Sequence, residues 1–452
     1  MAVLLPKQRR NSIGLILKFF HAQRQWISIA RFRLRRAVRR GYRRLPQPLD
    51  RLEPRVFCVD YHKTGTRSSG SSGVQDCAPG GDAAISWIRP GDPRIADESE
   101  PLLSALCRYG PRHFGDNLGG QMRLIRAFGT TIPVLVAEAG RELCDVCSPI
   151  SRYVSYPLEE ARRRGRSWQL PLLNAGAGLM GAALARLGVE RVVYVNNWLL
   201  STNPPLRLNR LQLAVLTSWL AGEFSDHAIV YRTVNPALEP ELTGNLLAAG
   251  CHLLTTRLVY VIDPRQAAFQ RHSDVRRDLR LLENSRYQLS HDKAALSEGD
   301  LQRMTDLYQR LYISKHCRHN AHFNAAFFAR MLATPMVRAS FFRDPESGRL
   351  DAFSLYTDSG SYLTGFQIGY DQALPQRLGL YRMALMHKVL LAQRRGLLVN
   401  LSGGAGSFKC QRGAKPVREY DALFDRHLSR CRRLPWRLVS LESRLFGRLR
   451  FD

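Results

Sequence analysis

The sequence predicts an α/β protein in which mixed central sheets are flanked by helices, divided into more than one domain. Its 452 residues exceed what a single hydrophobic core normally supports. Short apolar runs rich in β-branched residues alternate with segments whose apolar residues recur at helical spacing. Gly and Pro lie at most boundaries between these segments, as expected where helices and strands begin and end.

Positive charge is concentrated at both ends of the chain. Of a formal net charge of +29, residues 1–44 supply thirteen Lys and Arg with no acid, and residues 426–452 supply eight Arg against two acids. Apolar residues among the cations of residues 11–40 are typical of a basic amphipathic helix at an anionic membrane surface or along RNA, and equally of a solvated basic arm. We predict three segments outside the domains: a basic arm and linker over 1–54, an irregular segment over 55–95 and a basic tail over 429–452.

The chain has no run of about 18 uncharged apolar residues, so no membrane-spanning helix is expected. Its N-terminus lacks a secretory pattern. The nine cysteines are odd in number and scattered, which fits a reduced protein without a disulfide framework. These features predict a cytoplasmic protein, with peripheral attachment to the inner face of the membrane through residues 1–44 as an option.

Two patterns could indicate a metal site, and both are weak. Cys144 and Cys147 form a single C-x-x-C pair without a second pair or nearby His. His316, His319 and His322 have spacings of three, but they are flanked by Lys and Arg and accompanied by no carboxylate. We therefore expect no metal. Basic contacts to an anionic substrate, or simply a surface loop, fit the histidine segment better.

Residues 96–264 are predicted to form the first domain. Its predicted strands are 132–137, 191–196, 228–234 and 253–262, and its predicted helices are 157–164, 174–187, 208–222 and 239–249. A Gly-x-Gly-x-x-Gly pattern at 176–181 matches a dinucleotide-binding loop, but Pro171 interrupts the strand that should precede it. Because Asn also replaces the expected acid at 196 and 197, helix packing by small residues is favoured over a nucleotide site.

A polar loop at residues 196–205 follows a predicted strand of this domain. Asn197 and Asn203 could bind a polar substrate through paired donors and acceptors, with Trp198 as a flat platform. The competing interpretation is turn chemistry, since Asn, Ser and Thr also bond to their own backbone. The sequence slightly favours the latter.

Residues 265–428 are predicted to form the second domain. Helices are expected at 275–283, 301–313 and 324–332, and strands at 337–342 and 350–357 are joined by a turn at 344–348. A strand at 362–370, a helix from Leu380 and a strand at 397–401 then form one unit. Gly379 lies where the helix begins, so its first-turn N–H groups are placed to bind an anion.

Gln376, Gly379 and Tyr381 follow the spacing Gln/Arg-x-x-Gly-x-Gly/Ala. This resembles the pyrophosphate loop of the GNAT superfamily of acyl-CoA N-acyltransferases, specifically its FemAB-like and CelD-like branch, although Tyr381 replaces a small residue. Phe408 and Lys409 resemble the Phe/Tyr-Lys pair that this branch tends to have after the next strand. The resemblance implies tandem GNAT-like domains, of which the first is degenerate.

The resemblance also implies an activity and a site. The implied activity is N-acyl transfer from acyl-CoA, such as acetyl-CoA, to an amine on a small molecule or an envelope precursor. The alternatives are a FemAB-like transferase that uses aminoacyl-tRNA, and a non-catalytic protein whose basic ends bind membrane or nucleic acid.

Most site residues follow from the resemblance, and the others from the polar loop at 196–205 and from the carboxylates nearest in sequence. Donor-binding residues would be Ile368, Gly369, Gln376, Arg377, Gly379, Leu380, Tyr381 and Arg382. Catalytic candidates are Lys409, Ser402 and Asp371, with Glu419 as a second nearby carboxylate, and Phe408 would contact substrate together with Asn197, Trp198 and Asn203. Glycines between Ser402 and Gly406 leave room for a bound group, so Lys409 is predicted to extend over the cleft.

Overall fold

The structure is a computed structural model that describes residues 85–89, 100–139, 143–164 and 170–451. These residues belong to one compact unit. The predicted arm over 1–54 and all but a few residues of the segment over 55–95 lie outside the described ranges.

In the described residues, twelve strands form one sheet in the order β1-β2-β3-β4-β5-β12-β6-β11-β10-β9-β8-β7. The strands are β1 (Ser86–Ile88), β2 (Gln121–Ala127), β3 (Thr130–Val136), β4 (Val192–Val195), β5 (Ala228–Val234), β6 (His252–Ile262), β7 (Gln288–Ser290), β8 (Val337–Arg343), β9 (Leu350–Asp358), β10 (Tyr362–Tyr370), β11 (Leu398–Asn400) and β12 (Lys415–Phe424).

The α-helices are α1 (Glu100–Tyr109), α2 (Tyr156–Arg164), α3 (Leu170–Arg186), α4 (Arg210–Glu223), α5 (Pro240–Ala248), α6 (Ala267–Arg271), α7 (Ser273–Glu283), α8 (Glu298–Tyr308), α9 (Ala325–Ala333), α10 (Leu380–Arg394), α11 (Gly406–Cys410) and α12 (Arg430–Phe451). Ser151–Ser155 and Gln309–His316 are π-helical, and Pro111–Phe114 and Gln376–Leu378 are 3₁₀ turns. Local sequence explains several starts: Asn209 and Gln212 form a capping box at α4, as Ser297 and Asp300 do at α8.

The sheet contains an internal repeat. Strands β1 to β4 pair antiparallel in succession and β5 pairs parallel to β4; β7 to β11 repeat this pattern. The two halves exchange their sixth strands. Strand β12, from the end of the second half, lies beside β5, and β6, from the end of the first half, lies beside β11. Strands β6 and β12 also pair with each other at the centre. The predicted fold class, tandem halves with mixed sheets flanked by helices, is therefore confirmed.

Each half has its own apolar core beneath the helix that links its parallel strands. Leu213, Leu216 and Leu220 of α4 pack against β4 and β5, and Met383 and Val389 of α10 pack in the other half. The buried residues of the first core come from 125–251 and, on the exchanged strand β12, Ala422; those of the second core come from 262–414. The exchanged strands also join the halves into one sheet.

Most predicted elements are observed within a few residues of their expected bounds, including β5 and β10. The Gly-x-Gly-x-x-Gly pattern lies inside α3, as expected for helix packing and not for a nucleotide loop. Strands β2 and β12 were not predicted. The predicted tail contains α12, whose Trp436 and Val439 are buried and whose Ser443 hydroxyl donates to the Thr255 carbonyl of β6. Within the described part of the chain, no helix is long and apolar enough to cross a membrane.

Candidate functional site

A gap opens in the second half of the sheet between β10 and β11. The two strands pair only where Tyr362–Thr364 meets Leu398–Asn400, although β10 continues to Tyr370. The amide of Asp371 donates to the Asp351 carbonyl at the β9 side. Because successive amides of a strand alternate in direction, the Ile368 amide points away from β9 and into the gap.

Tyr312, from the π-helical turn after α8, reaches into this gap. Its hydroxyl oxygen accepts a hydrogen bond from the Ile368 amide at 3.3 Å, and its ring stacks on Tyr308 with centroids 4.7 Å apart. Burial raises the pKa of Tyr312, so the phenol keeps a proton that it can donate. The predicted strand amide is thus present in the gap, but the sequence analysis missed the tyrosine that contacts it.

Four polar side chains, which we call the polar centre, meet beside the gap: Thr202, Arg257, Ser402 and Glu419. Arg257 Nε donates to Glu419 Oε1 at 2.7 Å, and its Nη2 donates to Thr202 Oγ1 at 2.6 Å. The Thr202 and Ser402 hydroxyls are 3.1 Å apart. The electric field of Arg257 also acts on Tyr312, where it opposes the rise in pKa caused by burial. The polar centre therefore joins loops from both halves.

The charges of the polar centre differ in exposure. The Arg257 side chain is 27% exposed, whereas the Glu419 side chain is fully buried behind it. Glu419 Oε2 has no hydrogen-bond partner among the described residues. This leaves one carboxylate oxygen that could accept a proton, next to a cation that solvent can reach.

Ser402 adopts a conformation that is unusual for a residue with a side chain. Its φ is 57°, in the left-handed region, and its amide donates to Asn400 Oδ1 at 2.9 Å. Ala405 in the same loop has φ 47°. Such strain persists only where the surroundings fix the backbone, and it is common at functional sites. The structure thus brings the predicted residue Ser402 into the polar centre.

Lys409 is buried, but it does not extend over the cleft as the sequence predicted. Its Nζ donates to the carbonyls of Leu401, Ser402 and Gly403 at 2.7, 3.1 and 2.7 Å. Burial and the charges of Lys388 and Arg257 lower its pKa well below the usual range, while three carbonyl acceptors favour the ammonium form. Since these bonds occupy all three donors of an ammonium group, Lys409 shapes the Ser402 loop in this conformation.

Asp371, the other catalytic candidate, has its own partners. Arg303 Nη2 donates to Asp371 Oδ2 at 2.6 Å, and the Ala373 amide donates to Oδ1 at 2.9 Å. Burial by itself would raise the pKa of this carboxyl, but the hydrogen bonds and the charge of Arg303 hold it below the usual value. A carboxylate so stabilised is a weak base, which argues against the predicted catalytic role.

The predicted anion loop at α10 is largely covered. Gly379 has φ 65°, and a Cβ there would overlap Leu281 of α7. Leu380 is buried, and Arg382 Nε donates to Asp278 Oδ1 at 2.6 Å. Arg412 Nε donates to the other oxygen of the same carboxylate at 2.5 Å. Of the predicted loop residues, Gln376 and Arg377 are exposed.

Aromatic rings fill the space beside the first turn of α10. The Tyr381 ring lies 5.7 Å from that of Tyr370 and 5.2 Å from that of Phe408. The Arg412 guanidinium stacks 3.4 Å above Phe408, and Phe353 covers Gly369. Tyr381, which stands where the resemblance implies a small residue, therefore packs in an aromatic cluster.

The polar loop of the first half is held together by its own side chains. The Asn197 amide group donates to the Val146 carbonyl at 2.9 Å, and its oxygen accepts from Arg232 Nη1 at 2.8 Å. Asn203 Oδ1 accepts from the Trp198 amide at 3.1 Å, and Trp198 is buried. These contacts support turn chemistry and contradict a substrate platform at Trp198.

The three histidines do not converge. His319 Nε2 lies 3.8 Å from Glu159 Oε2, whereas His322 Nδ1 lies 3.0 Å from Asp116 Oδ1. In the parts of the chain that the structure describes, no group of three or more His, Cys, Asp and Glu side chains is arranged to hold a metal. Cys144 and Cys147 are buried free thiols.

No protein-family model matches the chain, and no curated protein matches it. Among solved structures, the chain is similar to FemX, with 9% identity, 47% of this chain and 77% of that chain covered, and a TM-score of 0.36. It is similar to L-PGS from Bacillus licheniformis, with 13% identity, 57% of this chain and 83% of that chain covered, and a TM-score of 0.40. It is also similar to a tandem GNAT protein from the clavulanic acid biosynthesis pathway, with 10% identity, 75% of this chain and 97% of that chain covered, and a TM-score of 0.34. At these values, function has to be inferred from the site itself.

Proposed function

We propose that the protein transfers an acyl group to an amine acceptor in the gap between β10 and β11, with an aminoacyl-tRNA as the donor. The observation that carries the proposal is the juxtaposition of the Tyr312 hydroxyl, the exposed edge of Arg257 and the unpartnered oxygen of Glu419. Acyl transfer needs donors for a developing oxyanion and a base for the attacking ammonium, and these groups supply both.

The reaction can be written with these residues. The acceptor amine, after losing its extra proton, attacks the carbonyl carbon of the ester, so a C–N bond forms and the C–O bond to the leaving sugar hydroxyl breaks. Glu419 takes a proton from the nitrogen and returns it to the leaving oxygen. The Tyr312 hydroxyl and the Arg257 guanidinium stabilise negative charge on the carbonyl oxygen while the bonds change.

Two features favour tRNA over CoA as the carrier of the acyl group. Leu281 and the ring of Tyr381 cover the first turn of α10, where a pyrophosphate would need free amides. Exposed cations lie on the two segments that meet at this turn, namely Arg276 and Arg280 on α7 and Arg377 in the loop. Cations spread over a surface suit a long polyanion better than a single pyrophosphate.

Acyl-CoA is the second candidate donor. It is supported by Gly379, which is left-handed at the start of α10, and by Gln376, because both stand at positions of the spacing that carries the resemblance. Gln376 and the neighbouring Arg377 are also exposed. The acceptor would be an amine on a small molecule or an envelope precursor. Residues 1–44, the segment proposed to attach the chain to an anionic membrane, lie outside the described residues.

The donors can be separated with the full chain and two sets of probes. Binding of fluorescent charged and uncharged tRNA is measured over a series of salt concentrations, and acetyl-CoA and longer acyl-CoAs are titrated by calorimetry. We expect charged tRNA to bind with a steep salt dependence and its ester to be consumed when amines are added. Consumption of an acyl-CoA without tRNA binding would establish the second donor, and turnover of neither would favour the non-catalytic alternative.

Arg377, in the loop before α10, and Arg382, in the first turn of α10, offer a matched pair of variants for the same assay. Arg377→Gln removes an exposed cation and should reduce the slope of log affinity against log salt by about one. Arg382→Gln removes a cation already paired with Asp278, so it should lower Tm and leave the slope unchanged.

A further inference from the structure

Arg232 of β5 is a buried arginine whose orientation is fixed at one end only. It is 3% exposed. Its Nη1 donates to Asn197 Oδ1 at 2.8 Å and to the Leu200 carbonyl at 3.3 Å. These two bonds hold the guanidinium plane in place and explain why Asn197 is fully buried in the loop.

The opposite edge of the Arg232 guanidinium has no partner. Its Nε and Nη2 atoms are buried and make no hydrogen bond to any described residue. The same edge of the neighbouring Arg152 is filled, because its Nε and Nη2 both donate to Asp421. This edge is the one that binds two oxygens of a carboxylate or phosphate in parallel.

The charges of Asp421 and Asp145 act favourably on Arg232, but neither carboxylate accepts a hydrogen bond from it. Asp421 already accepts from Arg152, from the Tyr153 hydroxyl at 2.7 Å and from the Thr233 amide at 3.2 Å. Burial and the charge of Arg152 lower the pKa of Arg232 below its usual value. A buried guanidinium without a hydrogen-bonded anion is costly, and an arginine releases its proton less readily than any other side chain.

A second unpartnered donor group belongs to a side chain beside the Arg232 guanidinium. The Tyr194 hydroxyl is fully buried and makes no hydrogen bond to any described residue. The Arg232 guanidinium carbon is 5.8 Å from the centre of the Tyr194 ring. Two neighbouring buried side chains therefore present N–H and O–H groups without an acceptor.

We propose that the Nε–Nη2 edge of Arg232 and the Tyr194 hydroxyl form a binding site for an oxyanion, either a carboxylate or a phosphate group. The guanidinium would bind two of its oxygens and the tyrosine would donate to one of them. The site adjoins the polar centre, because Arg232 holds the Leu200 carbonyl and Arg257 holds the carbonyl of the next residue, Ser201, at 2.6 Å. It stands on this geometry and does not require that the chain transfer acyl groups.

The test is anion-dependent thermal stability of the full chain at constant ionic strength and pH. Sodium phosphate and sodium acetate are titrated separately against sodium chloride. We expect a saturable rise in Tm, on the order of 2 °C or more, with at least one of the two oxyanions. A response to phosphate alone identifies a phosphate group as the ligand, and a response to acetate alone identifies a carboxylate.

Three variants test whether the rise in Tm arises at the proposed site. Arg232→Lys keeps a charge but loses the two-pronged edge, so most of the rise should disappear. Tyr194→Phe removes only a hydroxyl without a partner, so this variant should fold and show a smaller rise in Tm. If Arg232→Lys does not fold, Tyr194→Phe alone tests the proposed site. Arg191→Lys, at an exposed arginine just before β4, is the control for non-specific binding and should retain the rise. Equal effects of both oxyanions and chloride, or full retention of the rise in the folded site variants, would overturn the proposal.

Discussion

The Tyr312 hydroxyl oxygen lies 3.3 Å from the Ile368 amide nitrogen, in the gap between β10 and β11. In a continuous sheet this amide would bond to the next strand. Here it bonds to a side chain from a π-helical turn, and such turns are frequent at functional sites. A hydroxyl held by one accepted bond is oriented and still has its own proton to donate.

Tyr312→Phe should therefore lower the rate of acyl transfer while leaving the fold intact. The ring that stacks on Tyr308 remains, so Tm should change little. Loss of one oxyanion donor typically lowers turnover on the order of 100-fold. Single-turnover consumption of the donor ester, measured alongside Tm, checks both expectations.

Tyr308→Phe is the matched control. The Tyr308 hydroxyl donates to the Ala321 carbonyl at 2.9 Å, away from the gap. Its removal should lower Tm and leave the rate within about threefold of the parent, since it deletes only a buried structural bond. If both variants had the same rate, the hydroxyl of Tyr312 would have no part in the reaction.

Glu419→Gln tests the proposed base. Glutamine can keep a bond from Arg257 through its amide oxygen but cannot take up a proton at neutral pH. Turnover should fall by a factor on the order of 10² to 10⁴. A parent-like rate would instead indicate that Glu419 takes up no proton in the reaction.

Lys409→Met should destabilise the protein as well as slow it. The substitution leaves the carbonyls of Leu401, Ser402 and Gly403 without their buried donor. We expect a loss of about 2–4 kcal/mol in the free energy of unfolding, measured by chemical denaturation. Lys415→Met, at an exposed lysine at the start of β12, should change stability by less than about 0.5 kcal/mol. Parent-like stability in Lys409→Met would show that these three bonds contribute little.

The sequence predicted what depends on local patterns. Strand β10 and helix α10 follow from residues within one short stretch. The strand exchange could not be predicted in this way, because β12 pairs with β5 and β6 and so brings together segments far apart in the chain. Strand β2 was missed because charged residues interrupt its apolar pattern.

The same limit applies to the site. Ser402 was found from its glycine-rich loop, but its neighbour Thr202 is two hundred positions away. Arg257 and Glu419 are similarly separated, and neither lies in a recognisable motif. Arg382 was predicted to bind the donor, yet it is paired with Asp278 of α7, which only the packing of two helices reveals.

Lys388 of α10 provides a prediction about stability and pH. Its side chain is 1% exposed, and its Nζ lies 3.5 Å from Ser354 Oγ, beneath Gly365 of β10. Burial lowers the pKa of this lysine to about 7 in the folded protein. In the unfolded chain the pKa of a lysine is about 10.4. At pH values between these two pKa values, the unfolded state therefore binds more protons than the folded state.

Because the unfolded state takes up more protons, the free energy of unfolding should rise as pH increases from about 7 towards 10. Below pH 7 the full cost of burying the charge is present. Lys388→Met removes that cost and should raise the free energy of unfolding at pH 6 to 7 by an amount on the order of 3–5 kcal/mol. The advantage should shrink as pH approaches 10, where the buried amine of the parent is already neutral. Urea denaturation of both proteins across this range measures the difference, and a difference that did not vary with pH would contradict the lowered pKa.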